Sequence, residues 1–133
     1  MNLSEKIEAK ERFEMSIKNV DSNKIESTSK EGFIKVKDMD SNPPSSLDKY
    51  WNDIKLMIEL ISDYYSGRYT DIPWRVLTSV VGAVAYFISP IDAIPDMILV
   101  LGYTDDAYVL KLALDFARDD LDKYKDWKSK RDY

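Results

Sequence analysis

Four aspartates that follow a long apolar segment are the residues of this sequence with the clearest potential for chemistry. They are Asp92, Asp96, Asp105 and Asp106. Carboxylate oxygens are the ligands that hard ions such as Mg²⁺, Mn²⁺ and Ca²⁺ prefer in proteins. A divalent-metal enzyme or sensor is therefore one function that these side chains could support.

The first two of these aspartates also fit a structural role at a helix start. Ser89 can cap a helix, Pro90 can occupy its first position, and Asp92 can accept hydrogen bonds from its free amides. Pro95 and Asp96 repeat this pattern one turn later. A residue before proline is biased towards extended backbone, so we expect the preceding helix to break near Ser89.

The other two aspartates stand where a further helix could begin. Gly102 can end a short apolar helix. Asp105 and Asp106 would then lie in the first turn of the next helix, where acids interact favourably with the helix dipole. Helix capping thus accounts for all four residues, and we expect caps and turn formers here rather than metal ligands.

Composition excludes several other kinds of chemistry. The 133 residues contain no histidine and no cysteine, which excludes disulfides, thiolate metal sites, the usual zinc sites and the Ser-His-Asp triad. The formal net charge of −5 argues against a nucleic-acid partner, because phosphate contacts need a basic surface. We expect no cofactor, and neither the oligomeric state nor a protein partner follows from the sequence.

The N-terminal third of the chain is polar. Residues 1–20 predict a weak, mostly exposed helix, and residues 21–46 predict a linker that ends in Pro-Pro-Ser-Ser. The short run Phe33–Val36 is the one strand or docking segment in that linker. The sequence therefore divides into a flexible or weakly helical region, 1–46, that contributes little to the core, and a helical domain, 47–133.

An amphipathic helix opens the predicted domain. Its apolar residues recur at steps of three and four, and Gly67 can end it in a left-handed conformation. The residues of this apolar face are Leu47, Trp51, Ile54, Ile58, Ile61 and Tyr65.

The next helix is hydrophobic all round, because residues 76–91 carry no charged side chain. Such a helix lies either at the centre of a bundle or in lipid. Its uncharged part rises only about 24 Å, whereas the hydrocarbon layer is roughly 30 Å thick. An ordinary single membrane span is therefore disfavoured.

The last predicted helix, about 105–127, is amphipathic. Its apolar face comprises Leu110, Leu114, Ala117, Leu121 and Tyr124, and its acidic residues fall on another face. Lysines and aromatic residues at its end suit the negative end of a helix dipole, but they also suit a membrane surface. The candidate interface residues of the chain are Trp74, Tyr124, Trp127 and Lys128. The predicted fold is a small all-α bundle with a central hydrophobic helix, a Pro/Asp-capped turn and an amphipathic C-terminal helix.

The region from about Tyr65 to Trp127 resembles the YkvA-like domain, a family of unknown function. The family motif is P-x-D-x-I-P-D, followed by an apolar run, a glycine and Asp-Asp. The matching residues are Pro90, Asp92, Ile94, Pro95, Asp96, Gly102, Asp105 and Asp106, with Tyr86 at the usual upstream aromatic position. One departure is Met97–Val100, where many members carry a second proline.

The resemblance implies a small bacterial protein of a family often described as membrane-associated, and it brings no catalytic residue with it. Similar segments occur in some membrane-bound RING-type ubiquitin ligases. It leaves residues 1–46 unexplained.

Three classes of function remain open. A non-enzymatic interaction module, peripheral to the membrane, is favoured over a soluble partner-binding adaptor or inhibitor. An Asp-based divalent-metal enzyme or sensor is the third. The N-terminus lacks the apolar region of a signal peptide, so we expect a cytoplasmic location, with the inner face of the membrane as the candidate surface for weak, reversible association.

A metal site would be visible in thermal stability. An ion present at a hundred times its dissociation constant adds about 2.7 kcal/mol to the free energy of unfolding. We expect melting curves recorded with chelator and with Mg²⁺, Mn²⁺ or Ca²⁺ at matched ionic strength to overlay. A rise of several degrees with one ion, abolished by Asp92→Asn or Asp96→Asn, would establish a metal site instead.

Overall fold

The computed structural model describes residues 2–7, 10–11, 20–43, 45–93 and 96–131, with the backbone alone described for residues 45, 46, 86, 89–93 and 96–109. Its main elements are four α-helices and one 3₁₀ helix, and no strand occurs within the described ranges. In chain order they are α1 (Ser22–Met39), the 3₁₀ helix (Ser45–Tyr50), α2 (Trp51–Tyr65), α3 (Trp74–Ala93) and α4 (Asp96–Arg131). The predicted all-α bundle is confirmed.

Helix α2 buries the apolar face that its periodicity predicts. Leu47, in the 3₁₀ helix, and Ile54 and Ile61, in α2, are completely buried. Tyr65 is the exception, because it is 50% exposed and its hydroxyl donates a hydrogen bond of 2.6 Å to Glu26 on α1. The apolar stripe therefore ends one turn earlier than its spacing suggests.

Gly67 ends α2 as predicted. Its φ of +82° is the left-handed conformation that favours glycine. The Gly67 N–H donates to the Tyr64 carbonyl (3.1 Å), and the Arg68 N–H donates to the Asp63 carbonyl (2.9 Å). This pair of bonds is a Schellman motif, which satisfies carbonyls that a helix end leaves free.

Helix α3 is the centre of the bundle. It packs against α1, α2 and α4. Every residue from 76 to 85 is buried, as are Phe87 and Ile88. Helix α4 covers it with the predicted stripe. All five residues of that stripe are 0–2% exposed. The central apolar helix and the amphipathic last helix are thus confirmed.

Helix α1 replaces the predicted linker, so the linker was wrong, and so was the strand alternative for Phe33–Val36. Asp21 caps the helix, accepting a hydrogen bond from the Lys24 N–H at 2.8 Å. The buried residues of α1 are Ile25, Thr28, Ser29 and Gly32. Small and hydroxyl side chains dominate that stripe, which is why hydrophobic periodicity did not detect it. Contrary to the prediction, part of region 1–46 packs against α2 and α3.

Two predicted helix boundaries were also wrong. Helix α3 continues to Ala93, so Ser89 and Pro90 lie inside it rather than at a new helix start. Helix α4 runs without interruption from Asp96 to Arg131, so Gly102 is not a stop. A glycine inside a helix costs only about 1 kcal/mol relative to alanine, so it does not by itself end a helix.

The same boundary places Asp105 and Asp106 within α4 rather than in its first turn, so they do not have the predicted capping positions. Asp92 lies in the last turn of α3 and Asp96 is the first residue of α4. Pro95 lies outside the described residues.

The packing of α1 on α2 can be tested at Gly32. A Cβ atom there would lie 3.0 Å from Cγ1 of Ile58 on α2. We expect Gly32→Leu to lower the free energy of unfolding by about 1–3 kcal/mol, because overpacking forces backbone and side chains to move. Urea denaturation measures the change.

Glu31→Leu is the matched control, because Glu31 is the exposed neighbour of Gly32 on the same helix. It should change stability by no more than about 0.5 kcal/mol. Equal stability of the two variants would show that α1 does not pack closely on α2.

Candidate functional site

A buried carboxylate at the end of α2 is the best-defined polar feature of the bundle. Asp63 is only 8% exposed. Its Oδ2 accepts a hydrogen bond from the Tyr124 hydroxyl on α4 at 2.5 Å, and its Oδ1 accepts one from Arg68 Nε at 2.8 Å. A buried charge is tolerated only when it is paired and hydrogen-bonded, and both conditions hold here. Asp63 therefore joins α2, the following loop and α4.

The partner phenol is more deeply buried than the carboxylate. Tyr124 has no exposed surface. Burial, followed by the hydrogen bond to Asp63 and the charge of that carboxylate, raises the pKa of Tyr124 well above its usual range. The phenol stays protonated and donates to Asp63, which makes it a structural hydrogen-bond donor rather than a base.

An aromatic cluster surrounds this hydrogen bond. The ring of Tyr69, in the loop after α2, lies 5.1 Å from that of Tyr124 and 4.9 Å from that of Trp127. The Arg131 guanidinium lies 5.3 Å from the centre of the Trp127 ring. The Tyr69 hydroxyl is buried without a hydrogen-bond partner among the described residues, and burial raises its pKa. The cluster holds the C-terminal part of α4 against the loop.

Two open cavities flank Phe33 on the surface of the bundle. The first, the α1–α2 groove, has a volume of about 280 Å³ and the second, the C-terminal groove, about 290 Å³. The α1–α2 groove is lined by Phe33, Val36, Lys37, Asp40, Lys55, Ile58 and Glu59. The C-terminal groove is lined by Phe33, Glu59, Ser62, Asp63, Arg68, Lys128 and Arg131. Phe33 and Glu59 belong to both.

The acids in these grooves are already engaged. Asp40 accepts hydrogen bonds from Trp51 Nε1 (2.8 Å) and Lys55 (3.2 Å), which lower the pKa of Asp40. Glu59 pairs with Lys128, and Asp63 pairs with Arg68. The acids are thus largely neutralised, which leaves a surface suited to binding rather than to acid–base chemistry.

The predicted interface residues have different environments. Trp74 is 52% exposed at the start of α3. Trp127 is partly buried in the aromatic cluster, and Lys128 lines the C-terminal groove. Tyr124 was wrongly placed in this set, because its ring fills the apolar stripe of α4 and its hydroxyl is bonded to Asp63.

The side chains of the four motif aspartates lie outside the described part of the structure, in which Asp92 and residues 96–109 are described by their backbone alone. Among the side chains that are described, no group of three or more acidic, histidine or cysteine residues is arranged to hold a metal ion. The metal and capping interpretations of the motif therefore stay predictions, apart from the helix boundaries corrected above.

Sequence reasoning missed Asp63 and Arg68. One available signal was Tyr124, because a tyrosine on a buried helical stripe needs a partner for its hydroxyl. Its partner could not be identified, since 61 residues separate Asp63 from Tyr124 in the sequence. Phe33 was noticed only within a run interpreted as a strand or docking segment.

Comparison with known proteins agrees with the family motif. A family described as "Protein of unknown function (DUF1232)" matches residues 76–112, which cover most of α3 and the first half of α4. A Bacillus subtilis (strain 168) protein described as "Uncharacterized membrane protein YkvA" is 33% identical over 75 residues. The match covers 56% of this chain and 71% of that relative.

The chain therefore belongs to the YkvA-like family of unknown function, and the resemblance predicted from the motif is confirmed. No solved structure matches the chain. Within the described part of the chain, no helix combines the length and the apolar character that crossing a membrane requires.

The buried hydrogen bond gives a prediction for Tyr124→Phe. Removing the hydroxyl should lower the free energy of unfolding at neutral pH by about 1.5–3 kcal/mol, the usual contribution of a hydrogen bond to a charged group. The folded pKa of Tyr124 lies above that of an unfolded tyrosine, near 10. This contribution is therefore fully present below about pH 10 and is lost as the pH rises towards the folded value.

Denaturation of both proteins between neutral pH and about pH 11 measures the effect, with the difference narrowing above about pH 10. Tyr65→Phe is the control. It also removes a tyrosine hydroxyl that donates to a carboxylate, that of Glu26, but Tyr65 is half exposed, so water can replace the lost hydrogen bond. A stability difference that does not change with pH would show that the Tyr124 phenol does not ionise differently in the folded state.

Proposed function

We propose that this chain is a non-enzymatic helical interaction module that associates with the cytoplasmic face of the membrane without crossing it. The observation that carries the proposal is the environment of α3, the most apolar segment. Its described side chains between residues 76 and 88 are buried by the other helices. Contact with lipid would then come from the outer surface of the bundle.

The description of the Bacillus relative as a membrane protein supports the membrane part of the proposal. The sequence supports the peripheral part, because Arg75 and Asp92 stand at the two ends of the uncharged segment. A crossing by this short helix would place one of these charges in hydrocarbon, which is costly.

The non-enzymatic part of the proposal is supported by the chemistry of the grooves. The groups that could act as acids or bases there are held in ion pairs or hydrogen bonds, as Asp40 and Asp63 are. The sequence has neither histidine nor cysteine to supply a nucleophile or a base near neutral pH.

A soluble partner-binding adaptor is the second candidate. The α1–α2 groove favours it, because the groove combines an apolar floor at Val36 and Ile58 with a charged rim. Such a groove suits an amphipathic helix of another protein. This candidate differs from the first in cellular location.

Fractionation of cells that carry the untagged protein tests the proposal. We expect the protein in the membrane fraction at low salt and its release by about 1 M salt or by carbonate, because surface electrostatics are screened at high ionic strength. An integral membrane protein of the same cells, retained in the pellet throughout, is the control.

Retention under both treatments would contradict peripheral association and indicate an integral protein. Absence from the membrane fraction at low salt would favour the soluble adaptor.

A further inference from the structure

The outward side of α1 carries two neighbouring hydrophobic residues that the bundle leaves uncovered. Phe33 is 46% exposed and Ile34 is 60% exposed. Lys30 lies one turn before them and Lys37 one turn after them, so all four residues share one side of the helix. Lysines around exposed apolar residues are typical of helices that lie in a membrane interface.

The charges around Phe33 favour an anionic partner. The two grooves beside it are lined by five cations and three acids, whereas the whole chain has a net charge of −5. Within the described structure, neither Lys37 nor Arg131 is in an ion pair, and the Arg131 guanidinium lies over the Trp127 ring. Glu31 and Asp38 lie on the other side of Ile34, since each residue of a helix turns by about 100°. Glu26 lies two turns before Phe33 on the same side, where it is paired with Lys30 and accepts a hydrogen bond from Tyr65. The positive charge without an ion pair beside Phe33 is therefore that of Lys37, together with Arg131 across the C-terminal groove.

We infer that the surface formed by Phe33, Ile34, Lys37 and Arg131, here called the Phe33 surface, docks onto a bilayer that contains anionic lipids. The inference rests on the proposed membrane association and adds the face and the lipid chemistry. Phe33 and Ile34 enter the headgroup boundary, and the two cations lie among the lipid phosphates. Few residues take part, so binding is weak and reversible.

Flotation of the full-length protein with vesicles tests this inference. The vesicles are phosphatidylcholine alone, or phosphatidylcholine with about one quarter phosphatidylglycerol. We expect binding to the anionic vesicles that falls as salt is raised, and little binding to the neutral ones. The combined change Phe33→Ser and Ile34→Ser should lower the partition coefficient about tenfold. Lys37→Glu should lower it about fivefold or more.

Two variants elsewhere on the bundle are matched controls. Phe116→Ser removes a ring that is 51% exposed on α4 and lines neither groove. Lys111→Glu reverses a charge whose side chain is 62% exposed. Both should bind anionic vesicles within about twofold of the wild type, since they leave the Phe33 surface intact. Circular dichroism and melting curves establish that every variant is folded.

If the Phe33 surface variants bind anionic vesicles as well as the wild type does, the inference is overturned, but the proposed membrane association is not. Equal binding to neutral and anionic vesicles would overturn the choice of anionic lipid. Failure of the wild type to bind either vesicle would overturn the inference, and fractionation would then decide separately whether the protein reaches membranes by another route. A dimer that dissociates in the Phe33/Ile34 variant, with vesicle binding unchanged, would identify the surface as a self-association site instead.

Discussion

Asp63 makes the hydrogen bonds on which the rest of the bundle depends. Its main-chain carbonyl receives the bond that terminates α2, while its side chain binds Arg68 and Tyr124. Helix termination and the docking of α4 thus depend on the same residue. Because the charge is almost fully buried, losing one partner would leave an uncompensated polar group, which is more damaging than losing a contact between exposed side chains. The aromatic cluster then packs around the Tyr124 end of this bond, which has no exposed surface.

The parts of the fold that sequence periodicity predicts are those in which large apolar residues repeat. The stripes of α2 and α4 and the uniformly apolar α3 were predicted correctly, because burial of such residues dominates folding. Helix α1 was missed since its inward face consists of Ile25 with small or hydroxyl residues. Close approach to α2 at Gly32, rather than apolar bulk, is what that face provides.

Local signals for helix starts and ends were less informative than the apolar stripes. Ser89 and Pro90 have the order expected of a helix start, and Gly102 has the type expected of a helix end, yet all three lie inside helices. Gly67 shows the opposite case, because a Schellman motif supplies the hydrogen bonds that make its left-handed conformation favourable. The candidate site was the least predictable part of the structure. Asp63, Phe33 and Arg131 come from three separate helices, and they line one groove only when the chain is folded.

The 61-residue separation between Asp63 and Tyr124 also has a kinetic meaning. Helices α2 and α4 can each form from local contacts within about a microsecond, whereas this hydrogen bond requires the ends of a long loop to meet. The environment of the neighbouring Trp127 ring therefore distinguishes a chain that is merely helical from one whose helices have docked. In a variant in which Trp51 and Trp74 are replaced, its fluorescence would report the late step of folding, separately from the helical signal in the far ultraviolet.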